Sequence, residues 1–194
     1  MDKNVRIVLD SNGVIQRHAV CTARRFFLGL LLRGKMTPAV YLRLMRRVRG
    51  NIAGKMNAEE TKYITEFYVQ NRHIQIPLIR GARRTVNRLI ADHPGRVYIC
   101  SANAFSAESD AIYRNWFMKT FPGLAGVHFV PAFSTKGDFY RQIHEKYPHD
   151  RVIVVDDAKR HIDEATALGL DTRWIDKHNG YKNLHDAFYG RVRE

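Results

Sequence analysis

The chain has 194 residues, 45% of them hydrophobic and 11% aromatic, with a formal net charge of +13. The apolar and aromatic fractions are ordinary for a soluble globular protein, and the length suffices for one core domain plus a modest insertion. Cys21 and Cys100 show no metal-ligand spacing and make no disulfide framework, which predicts a reducing, cytoplasmic setting; the seven-residue apolar run Phe26–Leu32, flanked by Arg24, Arg25 and Arg33, falls far short of the roughly 20 residues of a membrane span. Val5–Leu9 begins almost at once, so no signal peptide is expected. That run predicts a buried strand, which ends at Asp10 and breaks into a turn at Ser11-Asn12-Gly13, all residue types that favour turns.

Residues 16–80 read as a helical insertion, with helices predicted over about 18–33, 37–49 and 57–71. Thr37-Pro38 opens the second with a capping residue and a proline at the first helical position. Asn57, with Glu60 three residues on, opens the third in the manner of a capping box. Gly50 and Gly54 punctuate the join, and Ile76-Pro77-Leu78 ends the insertion. This segment carries 13 Lys and Arg against Glu59, Glu60 and Glu66, a net +10, and leaves only +3 for the rest of the chain. Such a charge attracts polyanions, nucleic acid among them, or simply solvates a helical surface. Tyr41, Tyr63, Phe67 and Tyr68 lie among these basic residues; they either stack on bases or pack at helical spacing.

From Gly81 helix and strand alternate. Helices are predicted at 82–92, 106–121, 137–147 and 158–168, and strands at 97–100, 127–130, 151–155 and 172–175. The tail from Lys177 is polar and basic and reads as one loosely packed helix. Short strands alternating with longer helices imply an α/β fold: a Rossmann-like parallel sheet with helices on both faces, here with a small all-helical cap. The predicted division is an α/β core over 1–15 and 81–194 and a cap over 16–80.

Three predicted strands end in polar groups: the first at Asp10, the second at Ser101, the fourth at Asp156-Asp157. In a parallel sheet these ends share one edge, where ligands of open α/β sheets bind. Three carboxylates there suit a hard divalent cation. Lys136, just ahead of a helix, reaches the same edge if the topology allows, to balance charge and hold a phosphoryl group. Each of these residues also has a plainer reading: Ser101 as a helix cap, Asp156-Asp157 as acids at a helix N-terminus, Lys136 as a surface lysine, and His144 and His149 as surface histidines.

Taken in order, these segments resemble the haloacid dehalogenase-like superfamily of hydrolases, mostly phosphatases. Asp10-Ser11-Asn12-Gly13-Val14 is similar to the first motif, Ile99-Cys100-Ser101-Ala102-Asn103 to the second, Lys136-Gly137-Asp138-Phe139-Tyr140 to the third, and Val154-Val155-Asp156-Asp157 with Ala165–Leu170 to the fourth. The resemblance implies that Asp10 attacks phosphorus to form an aspartyl-phosphate, that Ser101, Ala102 and Lys136 hold the phosphoryl oxygens, and that Mg²⁺ is bound by Asp10, Asp157, the Asn12 carbonyl and, directly or through water, Asp156. It implies a phosphorylated anionic small molecule or nucleotide, or a nucleic-acid end, as substrate. The departure is Asn12, where the family has the aspartate that moves the proton; an amide does not transfer it. Branches that cleave carbon–phosphorus bonds also lack that aspartate, and would need an imine-forming lysine such as Lys35, Lys55 or Lys62. Asn12-Gly13 is also the dipeptide most prone to deamidation, which would create an aspartate. The competing reading is a catalytically silent relative that binds a polyanion or a protein through its basic cap.

Overall fold

Five runs become strands; the central ones are apolar and buried, and the two at the edges are half-buried. In the computed structural model these are β1 (Val5–Leu9), β2 (Val97–Ala104), β3 (Gly126–Pro131), β4 (Arg151–Asp156) and β5 (Asp171–Trp174). They form one parallel sheet in the order β3-β2-β1-β4-β5. All five residues of β1 are buried, as are the five of β4 after Arg151. Near-continuous apolar strands of this kind belong to sheets covered on both faces. The helices are α1 (Val20–Leu32), α2 (Pro38–Val48), α3 (Ala58–Val69), α4 (Ala82–Asp92), α5 (Ala107–Thr120), α6 (Gly137–Lys146), α7 (Lys159–Ala167) and α8 (Leu184–Tyr189). The described residues are 4–17, 20–48, 57–70, 76–104, 106–131, 134–176 and 178–190, without the side chains of 20, 21, 47, 48, 68, 69, 103 and 104. Lys55, Tyr68 and Cys21 therefore lie outside the description as side chains. No described helix is long and apolar enough to cross a membrane.

The chain divides into two compact units. One comprises Met1–Arg17, Leu78–Ala104 and Arg114–Glu194; the other comprises His18–Pro77 and Phe105–Tyr113. In the first, the chain starts at the centre of the sheet, runs outward through β2 and β3, and crosses back to β4 and β5. The order reverses between β1 and β4, and ligand crevices in open α/β sheets form at such a reversal. Phe139, Tyr140 and Ile143 of α6 and Ala165 of α7 pack on one face of the sheet with Val8, Cys100, Val152 and Val154. Alternation sends Ile7, Leu9, Ile99, Ile153 and Val155 to the other face, where they are also buried.

The second unit has its own core. Phe27 and Leu30 of α1, Val40 and Leu44 of α2, and Tyr63, Ile64 and Phe67 of α3 cluster together, with Tyr41 packed alongside. Tyr63 donates its hydroxyl to the Lys35 carbonyl at 2.6 Å. Tyr63 and Phe67 are thus packing residues rather than exposed stacking platforms. The capping box closes as expected: Glu60 N donates to Asn57 Oδ1 (2.8 Å) and Asn57 N to Glu60 Oε2 (3.1 Å). Lys35 and Lys62 are exposed.

Three local expectations are corrected. β2 continues past Cys100 to Ala104, with a register shift between Ser101 and Ala104. Ser101 therefore sits in the strand, and the cap of α5 is Ser106, whose Oγ accepts from Ser109 N (3.2 Å). The last strand starts at Asp171, one residue before the expected position. The tail is not loose: α8 has only six residues, but Leu184 and Ala187 are buried and Asn183 Oδ1 accepts from Asp186 N (2.9 Å). Tyr189 donates to Asp92 at 3.0 Å, and the Arg88 guanidinium lies 3.9 Å from the Tyr189 ring centre, fastening α8 to α4. Six residues are too few to display an apolar periodicity, so this docking is invisible in the sequence.

Candidate active site

The register of β1 against its neighbours places the polar strand ends side by side. Leu9 pairs with Val155 on one flank and Ile99 on the other, so Asp10 continues past the sheet next to Asp156. Asp10 N still donates to the Val155 carbonyl (2.9 Å). The chain then folds into a tight turn, in which Ile15 N and Gln16 N both donate to the Ser11 carbonyl (3.0 and 2.7 Å) and Gly13 N donates to the Gln16 carbonyl (2.8 Å). Gly13 has φ +78, and a Cβ there would collide with the Asp157 carboxylate. Glycine is needed both for the backbone and for that close approach.

Lys136 joins these ends. It precedes α6 and is 1% exposed, not the surface lysine of the plainer reading. Its Nζ donates to Asp10 Oδ1 at 2.5 Å and to Asp156 Oδ2 at 2.7 Å. Asp156 Oδ1 accepts from Ala158 N at 2.9 Å, so both of its oxygens are engaged by the protein. Asp157 is half-buried, and its carbonyl accepts from Trp174 Nε1 (3.0 Å). Carboxylate oxygens of Asp10, Asp156 and Asp157 lie within 4.8 Å of one another.

One ammonium does not neutralise three carboxylates in so dry a place. Burial pushes Asp10 up to about 8; Lys136 pulls against that rise while Asp156 and Asp157 add to it. Burial, then Asp156, push Asp157 up to about 7 against the pull of Lys136. Burial also opposes the charge of Lys136, but Asp10 and Asp156 outweigh it and its pKa rises. The raised values mark a cluster short of positive charge, and its converging oxygens are a donor set that suits a hard divalent cation.

Ser101 is fully buried on β2, and its Oγ is 2.6 Å from Ser11 Oγ. Ala102 follows it, half-buried. Asn12 lies in the turn after Asp10, and its Oδ1 is buried with no hydrogen-bond partner. Cys100, in the sheet, has its thiol pushed up to about 12 by burial and behaves as a core residue. His144 and His149 are exposed.

Sequence reasoning passed over two residues of this site. Ser11 reads as a turn residue, yet it is fully buried beside Ser101. Glu164 of α7 accepts from the Lys136 backbone N–H at 2.9 Å and lies 3.3 Å from His161 Nδ1. α6 has no side-chain cap of its own, so an acid from a neighbouring helix serves its positive end. No local pattern marks an acid that caps another helix.

No family model matches the sequence, and no curated protein matches it. Solved structures do. A haloacid dehalogenase-like family hydrolase of Streptococcus pneumoniae is 15% identical over 89% of this chain and 84% of its own, with a TM-score of 0.60. A protein of Burkholderia xenovorans LB400 described as haloacid dehalogenase-like is 16% identical over 95% of this chain and 85% of its own, with a TM-score of 0.62. One of Bacteroides fragilis, described likewise, is 13% identical over 89% of this chain and 87% of its own, with a TM-score of 0.59. At these identities the likeness is one of fold: the chain has the haloacid dehalogenase-like fold.

Proposed function

We propose that this chain, built on the haloacid dehalogenase-like fold, is a phosphomonoester hydrolase that works through an aspartyl-phosphate, with residues 16–80 as its cap domain. One observation carries the reading: Lys136 bridges Asp10 and Asp156 on the strand edge that also bears Asp157 and Ser101. A surface turn would have no reason to bury a lysine between two aspartates, since taking those charges out of water is costly unless they are paired.

Each residue then has a task. Asp10 Oδ1 is held by Lys136, which leaves Oδ2 to attack phosphorus. The ester P–O bond breaks and the leaving oxygen takes the electron pair. Ser101 and Lys136, with the backbone at Ala102, hold the phosphoryl oxygens. Mg²⁺ fits the oxygen cluster, and when bound it neutralises phosphate charge and orients the phosphoryl group. Asp10, Asp157 and the Asn12 carbonyl would hold it, with Asp156, whose oxygens already accept from Lys136 and Ala158, helping directly or through water.

Asn12 limits the proton steps. The leaving oxygen needs a proton and the attacking water must lose one; a positioned acid–base group is typically worth about 10²–10⁴-fold. Asn12 supplies neither, so activated leaving groups such as nitrophenolate fare best. Deamidation does not readily repair the site. It requires the Gly13 nitrogen to attack Asn12 Cγ, and that N–H is held by the Gln16 carbonyl. Peptide mapping of aged protein is therefore expected to find the amide at position 12.

The test is turnover of an aryl phosphate with Mg²⁺. Wild type should show slow hydrolysis that Asp10→Ala removes. Because Asn12 is where the proton step is unsupported, the rival reading is a silent protein that binds a polyanion; salt-sensitive nucleic-acid binding that survives Asp10→Ala, with no turnover in either protein, would replace the hydrolase reading.

A further inference from the structure

α4 breaks a local rule. Cations belong at the negative C-terminal end of a helix, and acids at the positive N-terminal end. α4 begins instead with Arg83 and Arg84, preceded by Arg80, has no acid in its first turn, and its N-cap Gly81 makes no side-chain cap. Arg80, Arg83 and Arg84 are all exposed, and among the described residues none of the three has an ion-pair partner. Arg88 continues the line one turn on, but it is engaged by Asp92 (3.8 Å) and the Tyr189 ring. The opposite face of the helix, Ala82, Thr85, Val86 and Leu89, is buried. Arg83, Arg84 and Arg88 therefore share the outward face of α4, and exposed Arg80 stands just before its N-cap.

The charge is local rather than a by-product of a basic chain. Residues 81–194 contain 17 Lys and Arg and 14 Asp and Glu. Of these, α4 holds three arginines and Asp92, a net +2, and leaves 14 Lys and Arg against 13 Asp and Glu in the rest. Arg80, Gly81 and Ala82 line one small cavity with Val14, Asn183 and His185. A helix that places like charges against its own dipole, in an otherwise neutral region, sacrifices stability for a surface.

We propose that this arginine face is a docking surface for the phosphate backbone of a nucleic-acid strand. Guanidinium groups match phosphate oxygens in pairs. The Tyr189 ring beside α4 is occupied by Arg88. The contact is therefore with phosphates and independent of base sequence. This inference does not depend on the hydrolase reading.

The experiment is fluorescence anisotropy of a labelled 20-nucleotide single-stranded DNA with the full chain across a salt series. Three variants are compared with wild type: Arg80→Gln/Arg83→Gln/Arg84→Gln, the milder Arg83→Gln/Arg84→Gln, and Arg24→Gln/Arg25→Gln/Arg46→Gln on exposed positions of the helical unit. The triple α4 variant is expected to bind at least tenfold more weakly at low salt. Its log–log salt slope should be shallower by about 2, since each single-strand phosphate contact contributes about 0.7. It should melt no lower than wild type, because glutamine is a good helix former and the unfavourable charges are gone. The double variant should show an intermediate loss, and it decides the matter if the triple variant does not fold. The proposal is overturned if the α4 variants bind as wild type does, if the loss falls on the helical-unit variant alone, or if wild type ignores the strand and binds phosphatidylserine vesicles instead.

Discussion

Two charged regions of the α/β unit obey opposite rules. In the cluster of Asp10, Asp156, Asp157 and Lys136, the buried lysine holds Asp10 and Asp156 at 2.5 and 2.7 Å, with half-buried Asp157 beside them. Arg80, Arg83 and Arg84, at the start of α4, are exposed and have no ion-pair partner among the described residues. In the first region every charge alters its neighbours, as the raised Asp10 and Asp157 show. In the second, water and salt screen each charge from the next. Net charge points to the arginines, whereas the proposed chemistry lies where a few charges are buried together. The +13 of the chain therefore says more about partners than about catalysis.

The largest test adds a carboxylate to the buried region. Asn12→Asp is expected to raise turnover by about 10²–10⁴-fold, most for alkyl phosphates and least for nitrophenyl phosphate, measured as kcat across a leaving-group series. No gain on any substrate would show that the missing proton donor is not what limits the site. Next comes Lys136→Met, which leaves Asp10 and Asp156 buried without their cation. A loss of about 3–5 kcal/mol in urea unfolding is expected, the scale on which a broken buried pair acts.

Smaller effects separate the regions further. Asn57→Ala removes the Oδ1 that accepts from Glu60 N in a cap on the helical unit and should cost about 1 kcal/mol, read as a lower melting midpoint. His161 is buried, and burial followed by Lys136 holds its pKa below the usual 6.5. The folded state thus binds fewer protons than the unfolded one. The stability tied to His161 is complete above pH 6.5 and is lost as pH falls below it. Melts from pH 7.5 to 5 should show that loss, and His161→Gln should reduce it. Arg84→Gln is the smallest change, within about 0.5 kcal/mol, as for other exposed positions. A loss comparable to that of Lys136→Met would erase the distinction between the two regions.

The fold was largely legible. Val5–Leu9 and Val152–Val155 are apolar throughout, so only a covered parallel sheet accommodates them. The capping box at Asn57 is local chemistry and formed as read. The tail was misread because a six-residue helix holds too little periodicity. Ser101 as a cap was a misreading of a different kind: the strand ran on, and Ser106 stood three residues before the N–H it caps.

The sequence by itself determined where strands end in polar residues, because burial periodicity and turn preference act over a few neighbouring positions. It determined that position 12 bears an amide, and that Arg83 and Arg84 open a helix. The tertiary structure alone decided what those groups meet. Lys136 reaches Asp10 across 126 positions, Ser101 meets Ser11 across 90, and Glu164 caps the Lys136 backbone from 28 positions away. A buried charge or hydroxyl must find its partner wherever the chain returns, and no local pattern records that return.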